Sequence, residues 1–384
     1  MSLLKGIKVL DFTRLLPGPL GTMFLADFGA EVIKIEEPGG DPSRINRDGE
    51  PTPRFGYLNR GKKSVALNLK TDSGRQAVRR LAANADVVIE QFRPGVMARL
   101  GLDYDTLAAD NPGLIYCAIT GYGQDGPYAQ KAGHDGNYLS LLGLIDQNRS
   151  AGGTPHLLPT QVADIGAGSL LAVVAILAAL VERGRSGRGQ FIDVSMFEGL
   201  LPWLAATGVP VLAGEAPEPP GEGRLTGGFP CYGVYPTADG RYMMVGGLEW
   251  KFWERLVDTL DVPDIKAQAY ALGPAGRQAK ARLADAFRRK TQAEWEAVFA
   301  QVDCCVTPVR SLDEIADDPH LRARGMLLDR SEGGMMPDQP VRFSRTPTQV
   351  DGHWPTLNAD AADVLGALGY AADDIAALDP SRKR

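Results

Sequence analysis

The stretch Lys8–Ile35, KVLDFTRLLPGPLGTMFLADFGAEVIKI, decides the fold. Its two ends, Lys8–Phe12 and Glu31–Ile35, are short runs rich in apolar and β-branched residues, which predicts two strands. Between them, Gly18–Phe28 has the length and composition of a helix. Two strands joined through a helix form a parallel pair, so this opening predicts a Rossmann-like strand–helix–strand unit.

The same alternation continues through the first half of the chain. We predict further strands at Asp86–Glu90, Leu114–Ile119 and Gln190–Val194, and a helix at Asp72–Asn84. The first turn reads TRLLPGPLG and lacks the G-x-G-x-x-G pattern through which a backbone approaches a dinucleotide pyrophosphate. The sequence therefore predicts an α/β fold without a nicotinamide cofactor.

Composition narrows the class of protein. The 384 residues carry 41 Lys and Arg against 47 Asp and Glu, a net charge of −6, whereas a nucleic-acid binder usually has a basic domain. With 44% hydrophobic residues the chain can bury a full core. Its 45 glycines and 27 prolines exceed the usual share, and we expect the excess in turns and at close backbone approaches to a ligand.

The second half predicts a different organisation. Helices at Leu170–Val181 and Phe197–Gly208 precede the Pro/Gly/Glu-rich segment Gly214–Gly228, and a hairpin of Tyr232–Tyr235 and Tyr242–Val245 follows. Three more helices are predicted, at Trp250–Leu260, Ala279–Arg289 and Gln292–Gln301. We therefore divide the chain into a large domain (1–205), a linker (206–228), a smaller α+β domain (229–330) and a return to the large domain (331–384).

Several absences indicate a reduced, cytoplasmic protein without a metal site. The four cysteines, Cys117, Cys231, Cys304 and Cys305, show no metal-binding spacing. The N-terminus lacks the pattern of a signal peptide. The longest apolar run, Leu170–Val181, is shorter than the ~20 residues that span a bilayer, so we predict a buried helix there and no membrane association.

The segment Gly56-x-x-x-x-Gly61-Lys62 is close to a phosphate-binding P-loop. Lys63 stands where a P-loop has Ser or Thr, and the segment leads into a strand, whereas a P-loop leads into a helix. We reject an NTPase on these grounds. The basic residues Arg60, Lys62 and Lys63 are equally compatible with a phosphate-binding loop and with a solvated run of charge.

Two residues are candidates for acid–base or nucleophilic chemistry. His134 lies in KAGHDGNY between glycines, an environment that suits a ligand, although local sequence leaves a structural role open. Asp164 directly precedes a strongly apolar helix, which is typical of an N-cap. Gly166 and Gly168 in the first turn would also let a ligand reach the free N–H groups of that helix.

These segments together resemble a known family. GYGQDGPYAQKAGHDGNY, VADIGAGSLLAVVAIL and GGFPCYGVYPTADGRYMMVGGLEWKFW are similar to the class III CoA-transferase superfamily, and the resemblance covers nearly the whole chain. Within the superfamily, Gly133-His134-Asp135-Gly136-Asn137-Tyr138 resembles the α-methylacyl-CoA racemase branch. Transferases usually carry another residue in place of the histidine and use the aspartate matching Asp164 to form an acyl-enzyme anhydride. The racemase pattern also includes a glutamate that matches Glu249.

The resemblance implies an architecture and a ligand. It implies a Rossmann-like large domain and a smaller domain in an interlocked homodimer, with an acyl-CoA substrate and no cofactor beyond its CoA moiety. The CoA contacts that it implies are Leu67, Lys70, Gln91, Phe92, Arg93, Arg99, Lys131, Gly133, Asn137 and Tyr138. One position departs from the pattern, because Glu37 stands where many members have an arginine. Arg44, Arg47 or Lys62 would have to replace that contact.

The chemistry that the resemblance implies is racemisation at the carbon next to a thioester. Two acid–base groups must face opposite sides of that carbon, and we assign them to His134 and Asp164. Glu249 would orient His134, and N–H groups at the start of the helix after Asp164 would stabilise the enolate oxygen. The alternatives are CoA transfer between carboxylic acids through an anhydride at Asp164, and CoA binding without catalysis.

Overall fold

The computed structural model describes residues 2–46, 49, 51–330, 333–348 and 350–378. It divides into two compact units. The first comprises residues 1–139, 160–202 and 320–384, and the second residues 140–159 and 203–319. In the sequence-based division the corresponding boundaries fall at 205 and 331, and residues 140–159 belong to the large domain.

The elements up to residue 195 alternate between strand and helix. They are β1 Lys8–Asp11, α1 Pro17–Asp27, β2 Glu31–Glu36, α2 Pro53–Asn59, β3 Lys63–Ala66, α3 Asp72–Ala82, β4 Val87–Glu90, α4 Val96–Leu100, α5 Tyr104–Asp110, β5 Ile115–Thr120, α6 Asp135–Leu141, α7 Leu144–Gln147, a π-helix Ala163–Leu170 that continues as α8 Leu171–Ser186, and β6 Phe191–Ser195.

The remaining elements follow residue 195. They are a 3₁₀ helix Glu198–Leu204, α9 Gly208–Leu212, β7 Tyr232–Pro236, β8 Tyr242–Gly246, α10 Trp250–Leu260, a 3₁₀ helix Pro263–Gln268, α11 Gly273–Phe287, α12 Gln292–Phe299, β9 Val306–Pro308, a 3₁₀ helix Leu312–Asp317, α13 Pro319–Ala323, β10 Leu327–Asp329, β11 Met335–Pro337, α14 Ala361–Gly366 and α15 Ala372–Leu378.

The first unit is built on a six-stranded parallel sheet. The strand order is β3-β2-β1-β4-β5-β6, the order of a doubly wound dinucleotide-binding fold. The predicted α/β class is therefore confirmed. The order reverses between β1 and β4, and ligands of such sheets bind outside the carboxyl ends of the strands at that reversal.

The sheet is buried by helices, as parallel sheets require. Leu10 pairs with Ile33 of β2 and Val88 of β4, and all three are at most 2% exposed. Leu81 of α3 and Leu365 of α14 belong to the same apolar cluster. The described part of the chain after residue 333 thus contributes α14 to the core of the first unit.

The helix after Asp164 differs from its prediction. It runs without a break from Ala163 to Ser186, 24 residues, so it is long and apolar enough by length and composition to cross a bilayer, a test that core helices also pass. It is not fully buried, because Val174 and Val181 are about 60% exposed. The helix predicted at Phe197–Gly208 is wrong, since Pro202 removes a backbone donor and a 3₁₀ turn forms there instead.

The second unit is α+β. β7, β8 and β9 form an antiparallel sheet, and β7 pairs with β8 as the predicted hairpin. Trp253 of α10, Phe287 of α11 and Trp295 of α12 fill its core, each at most 3% exposed.

Buried ion pairs connect the first helix and strand to the segment that precedes β3. The Lys62 ammonium lies 3.1 Å from Asp11 Oδ2 and donates to the Thr22 hydroxyl at 2.7 Å and to Asn59 Oδ1 at 2.9 Å. Arg60 pairs with Asp27 at 2.7 Å, again with both side chains buried. The phosphate-binding reading of Arg60 and Lys62 is therefore wrong, because these cations are fully engaged inside the protein.

The same environment shifts both pKa values of the Lys62–Asp11 pair. Burial lowers the pKa of Lys62 to about 8, against the attraction of Asp11. For Asp11, burial alone would raise the pKa, but the charges of Lys62 and Lys34 lower it to about 2. Lys63, next in the chain, instead makes a half-exposed pair with Glu31 at 2.6 Å.

We expect Lys62→Met to lower the free energy of unfolding by about 3–5 kcal/mol, because it leaves the Asp11 carboxylate buried without its partner. Lys63→Met is the matched control, since removal of a half-exposed pair changes stability by less than about 1 kcal/mol. Urea denaturation at pH 7 measures both. Equal effects of the two substitutions would contradict this account of the buried pair.

Candidate active site

A cavity of about 380 Å³ opens at the carboxyl ends of β1, β2, β3 and β4. It spans the reversal in strand order, where a doubly wound sheet binds its ligand. Leu67, Lys70 and Phe92, three of the predicted CoA contacts, line it, together with Arg14, Glu37 and Leu100. Apolar walls with a few charged groups at the rim suit an organic ligand that carries phosphates.

The Gln91 side chain links two of the segments that border this cavity. Its side-chain oxygen accepts from Gly18 N at 3.2 Å and its amide donates to the Arg14 carbonyl at 2.7 Å. The residue after β4 is thereby joined to the loop after β1, across the reversal of the sheet. Three other predicted CoA contacts are the exposed cations Arg93, Arg99 and Lys131. The Lys131 ammonium lies 3.8 Å from the centre of the Tyr128 ring.

The departure at Glu37 has a structural counterpart. Glu37 lines the cavity with its side chain 62% exposed, and Arg14 lies 3.9 Å away at 50% exposure. Of the proposed substitutes, Lys62 is buried on Asp11, and Arg44 is engaged by Glu36 and the Pro355 carbonyl. Arg47 lies outside the described residues. Arg14 is therefore a cation at the cavity that the sequence analysis did not single out, although its position in the first turn after β1 could have indicated it.

The His134 segment is shaped by Tyr138. The Tyr138 ring is buried, its hydroxyl donates to the Gly133 carbonyl at 2.8 Å, and a Cβ at position 133 would lie 2.7 Å from that ring. The close approach of the tyrosine ring therefore requires glycine at position 133, and the expected approach of a ligand there stays a prediction. The Asn137 side chain accepts from His134 N at 3.0 Å, so the predicted contacts Gly133, Asn137 and Tyr138 together shape the loop that presents the exposed His134.

Asp135 connects this loop to the helix that carries Asp164. One oxygen of its buried carboxylate accepts from Ala163 N at 2.6 Å and from Asp164 N at 3.1 Å. The first free N–H groups of the helix are therefore occupied, and Ile165 N donates to the Gln161 carbonyl. Of the donors after Asp164 that were predicted to hold an enolate oxygen, Ile165 N is therefore already engaged, and the role of the later N–H groups stays a prediction.

The N-cap prediction for Asp164 is also wrong. The capping position is Val162, and Asp164 lies within the first turn without a capping hydrogen bond. Gly168, expected to admit a ligand, instead packs against Met196 and Pro17, since a Cβ there would lie 3.1–3.2 Å from their side chains. Asp135 carries out the capping and leaves the Asp164 carboxylate free of that role.

The electrostatic setting of Asp164 suits proton transfer near neutral pH. Burial and the Asp135 charge raise the pKa of Asp164 to about 6, while the charge of His134 lowers it. In the part of the chain that the structure describes, no hydrogen bond or ion pair joins Asp164 to His134 directly. The two groups are close enough to interact through their charges and are each available to a third molecule.

Glu249, the third predicted catalytic residue, lies in the second unit. It is exposed, directly precedes α10 and makes no side-chain cap. Burial and the nearby Glu249 charge raise the pKa of the Cys305 thiol. Its pairing with His134 stays a prediction.

The described residues contain no cluster of three His, Cys, Asp or Glu side chains that could hold a metal ion. The four cysteines are free thiols, and three of them are buried.

Comparison with known proteins extends these observations. The family model for CoA-transferase family III matches residues 4–361. The chain is 37% identical over 380 residues to the α-methylacyl-CoA racemase of Mus musculus, covering 99% of this chain and 97% of the relative. It is also 36% identical to the succinate–glutarate CoA-transferase of Agrobacterium fabrum, covering 95% of each chain.

Solved structures agree with the sequence relatives. A CaiB/BaiF family protein from Brucella suis superposes with a TM-score of 0.83 at 34% identity, covering 96% of this chain and 99% of its own. The chain therefore belongs to CoA-transferase family III.

Proposed function

We propose that the protein is a racemase that interconverts (R)- and (S)-2-methylacyl-CoA thioesters. The observation that carries the proposal is that His134 lies close enough to Asp164 for their charges to interact, while burial raises the pKa of the Asp164 carboxyl, which caps no helix, to about 6. The racemase relative at 37% identity supports it. Family membership alone leaves transferase and isomerase chemistry open.

The reaction moves one proton off a carbon and returns one to the opposite face. In one direction the Asp164 carboxylate takes the α-proton, the electron pair of the C–H bond moves into the carbonyl to give an enolate, and protonated His134 delivers a proton to the other face. In the other direction neutral His134 takes the proton and protonated Asp164 delivers it. A pKa of about 6 makes both states of Asp164 accessible near neutral pH.

The remaining residues position the substrate and the bases. The cavity with Arg14, Lys70 and Phe92 would bind the CoA moiety, whose binding energy holds the reacting carbon without taking part in the chemistry. Glu249 would accept from the ring of His134 and fix its tautomer. In this proposal the enzyme works as a cytoplasmic homodimer and needs no cofactor beyond the CoA of its substrate.

The second candidate is CoA transfer between carboxylic acids. The Asp164 carboxylate, which makes no hydrogen bond as a cap, would attack the thioester, expel CoA as a thiolate and form an anhydride. The similarity to the succinate–glutarate CoA-transferase supports this candidate. His134 separates the two candidates, because an anhydride mechanism needs no second proton-transfer group on the far face of the α-carbon.

We expect (R)- or (S)-2-methylacyl-CoA in deuterated water to exchange its α-hydrogen and to give the epimer, measured by NMR and chiral chromatography. His134→Ala should lower epimer formation at least about 100-fold, because it removes one of the two acid–base groups. His156→Ala, at an exposed histidine outside this site, is the control. Acyl transfer to a free carboxylate without exchange would establish the transferase.

A second prediction concerns stability and pH. The folded pKa of Asp164, about 6, lies above its ordinary value of 3.8, so ionisation of the native state costs free energy that the unfolded chain does not lose. The wild type therefore loses stability as pH rises from about 4 to about 6. We expect Asp164→Asn to abolish racemisation and, at pH 7, to raise the free energy of unfolding by about 1–2 kcal/mol after solvent screening.

The stability gain should shrink to about 0.5 kcal/mol or less at pH 4, where the folded Asp164 is almost fully protonated and the unfolded residue is only about half ionised. Urea denaturation at pH 4 and pH 7 gives the difference, and Asp110→Asn, at an exposed aspartate, controls for the loss of one charge. A gain of the same size at both pH values would show that the surroundings of Asp164 do not raise its pKa.

A further inference from the structure

A second cavity, of about 540 Å³, lies entirely within the second unit. Its walls come from residues 149–151, residues 221–228, the start of the β7–β8 hairpin and α11. None of these residues belongs to the site proposed for the thioester. The segment Gly214–Gly228, predicted as a linker, supplies one complete wall.

That wall is a folded loop. Gly221 has a φ of +74° and packs on the backbone of residues 149–151, where a Cβ would lie 2.3 Å from the Arg149 carbonyl. Gly228 donates to the Gly223 carbonyl at 2.8 Å and lies too close to the Glu222 carbonyl for any side chain. Glycines at these positions let the loop close over the cavity, which a flexible linker would not require.

The charges on the walls do not cancel. Arg149 pairs with Asp146 at 3.1 Å, and Arg277 pairs with Glu222 at 3.4 Å. Lys280, half-buried, donates to the carbonyl of Gly227 and has no carboxylate in ion-pair range among the described residues. Of the three cations that line the cavity, Lys280 is therefore the one without an ion-pair partner among the described residues, and burial lowers its pKa against the opposing charge of Glu222.

Two polar atoms on the same walls are buried without partners. They are Nε of Arg149 and the hydroxyl oxygen of Thr226. Buried polar groups in folded proteins nearly always have partners, so these two atoms offer hydrogen-bonding capacity to a polar ligand in the cavity. The lining also includes the apolar side chains of Leu225, Val234 and Met244, which are available to a hydrocarbon body.

We propose that this cavity binds a carboxylic acid with an apolar body, its carboxylate paired with Lys280. A single uncompensated cation matches one carboxylate, whereas a phosphate dianion would leave one negative charge unpaired. The volume suits a medium-sized organic acid. The site is independent of the proton-transfer chemistry assigned to His134 and Asp164.

Calorimetric titration of the full-length protein with octanoate tests the proposal, with inorganic phosphate as a second titrant. We expect octanoate to bind and Lys280→Met to weaken it at least about tenfold, because a charge-assisted hydrogen bond is lost. Arg282→Met, on the same helix but outside the lining, should leave octanoate affinity unchanged. Leu225→Trp, at a largely exposed position, fills the cavity without altering its charge and should also weaken octanoate binding.

Octanoate could also enter the site proposed for the thioester, so Asp164→Asn is titrated in parallel. Octanoate binding that survives Lys280→Met and Leu225→Trp overturns the proposal, as does loss of binding in Asp164→Asn alone. Binding of phosphate in preference to octanoate would overturn the assignment to a carboxylic acid. Because binding is measured without acyl-CoA, these results do not depend on whether the racemase proposal is correct.

Discussion

The Asp135 carboxylate is the contact on which the candidate site depends. It accepts from the N–H groups of Ala163 and Asp164, and so holds the His134 loop against the start of the helix 28 residues later. Because Asp135 caps the helix, Asp164 keeps its own carboxylate free. Its negative charge also helps to raise the pKa of Asp164 to about 6. One side chain thus fixes the position of the proposed base and adds to the effect of burial, which is the larger cause of its raised pKa.

The helix that carries Asp164 packs on α1, which follows the first strand of the parallel sheet. The Ser169 hydroxyl donates to the Pro17 carbonyl at 2.5 Å, and Gly21 of α1 approaches the Ser169 backbone closely, so the helix carrying Asp164 rests on α1. The loop that precedes α1 is in turn joined to β4 by Gln91. The cavity proposed for CoA and the proposed base are therefore fixed to the same end of one sheet, which the buried Lys62–Asp11 pair stabilises.

Local patterns predicted the strands well and the partners of charged residues poorly. Short β-branched runs such as Glu31–Ile35 are typical of buried parallel strands, so the position of β2 can be predicted from its own residues. Lys62 resembled a solvent-exposed cation because its partner Asp11 is 51 residues away. Asp164 resembled an N-cap for the same reason, since Asp135, 29 residues earlier, occupies the N–H groups. Periodicity reports which face a residue lies on, but pairing between distant segments depends on the tertiary fold.

The account's central claim is that His134 and Asp164 address opposite faces of one carbon. The most direct test measures α-hydrogen exchange in deuterated water for each enantiomer of 2-methylacyl-CoA separately, with His134→Ala and with Asp164→Asn. The account predicts that each variant exchanges one enantiomer without epimerising it, and that the two variants select opposite enantiomers. Exchange of the same enantiomer by both variants, or of both enantiomers by either, would contradict it.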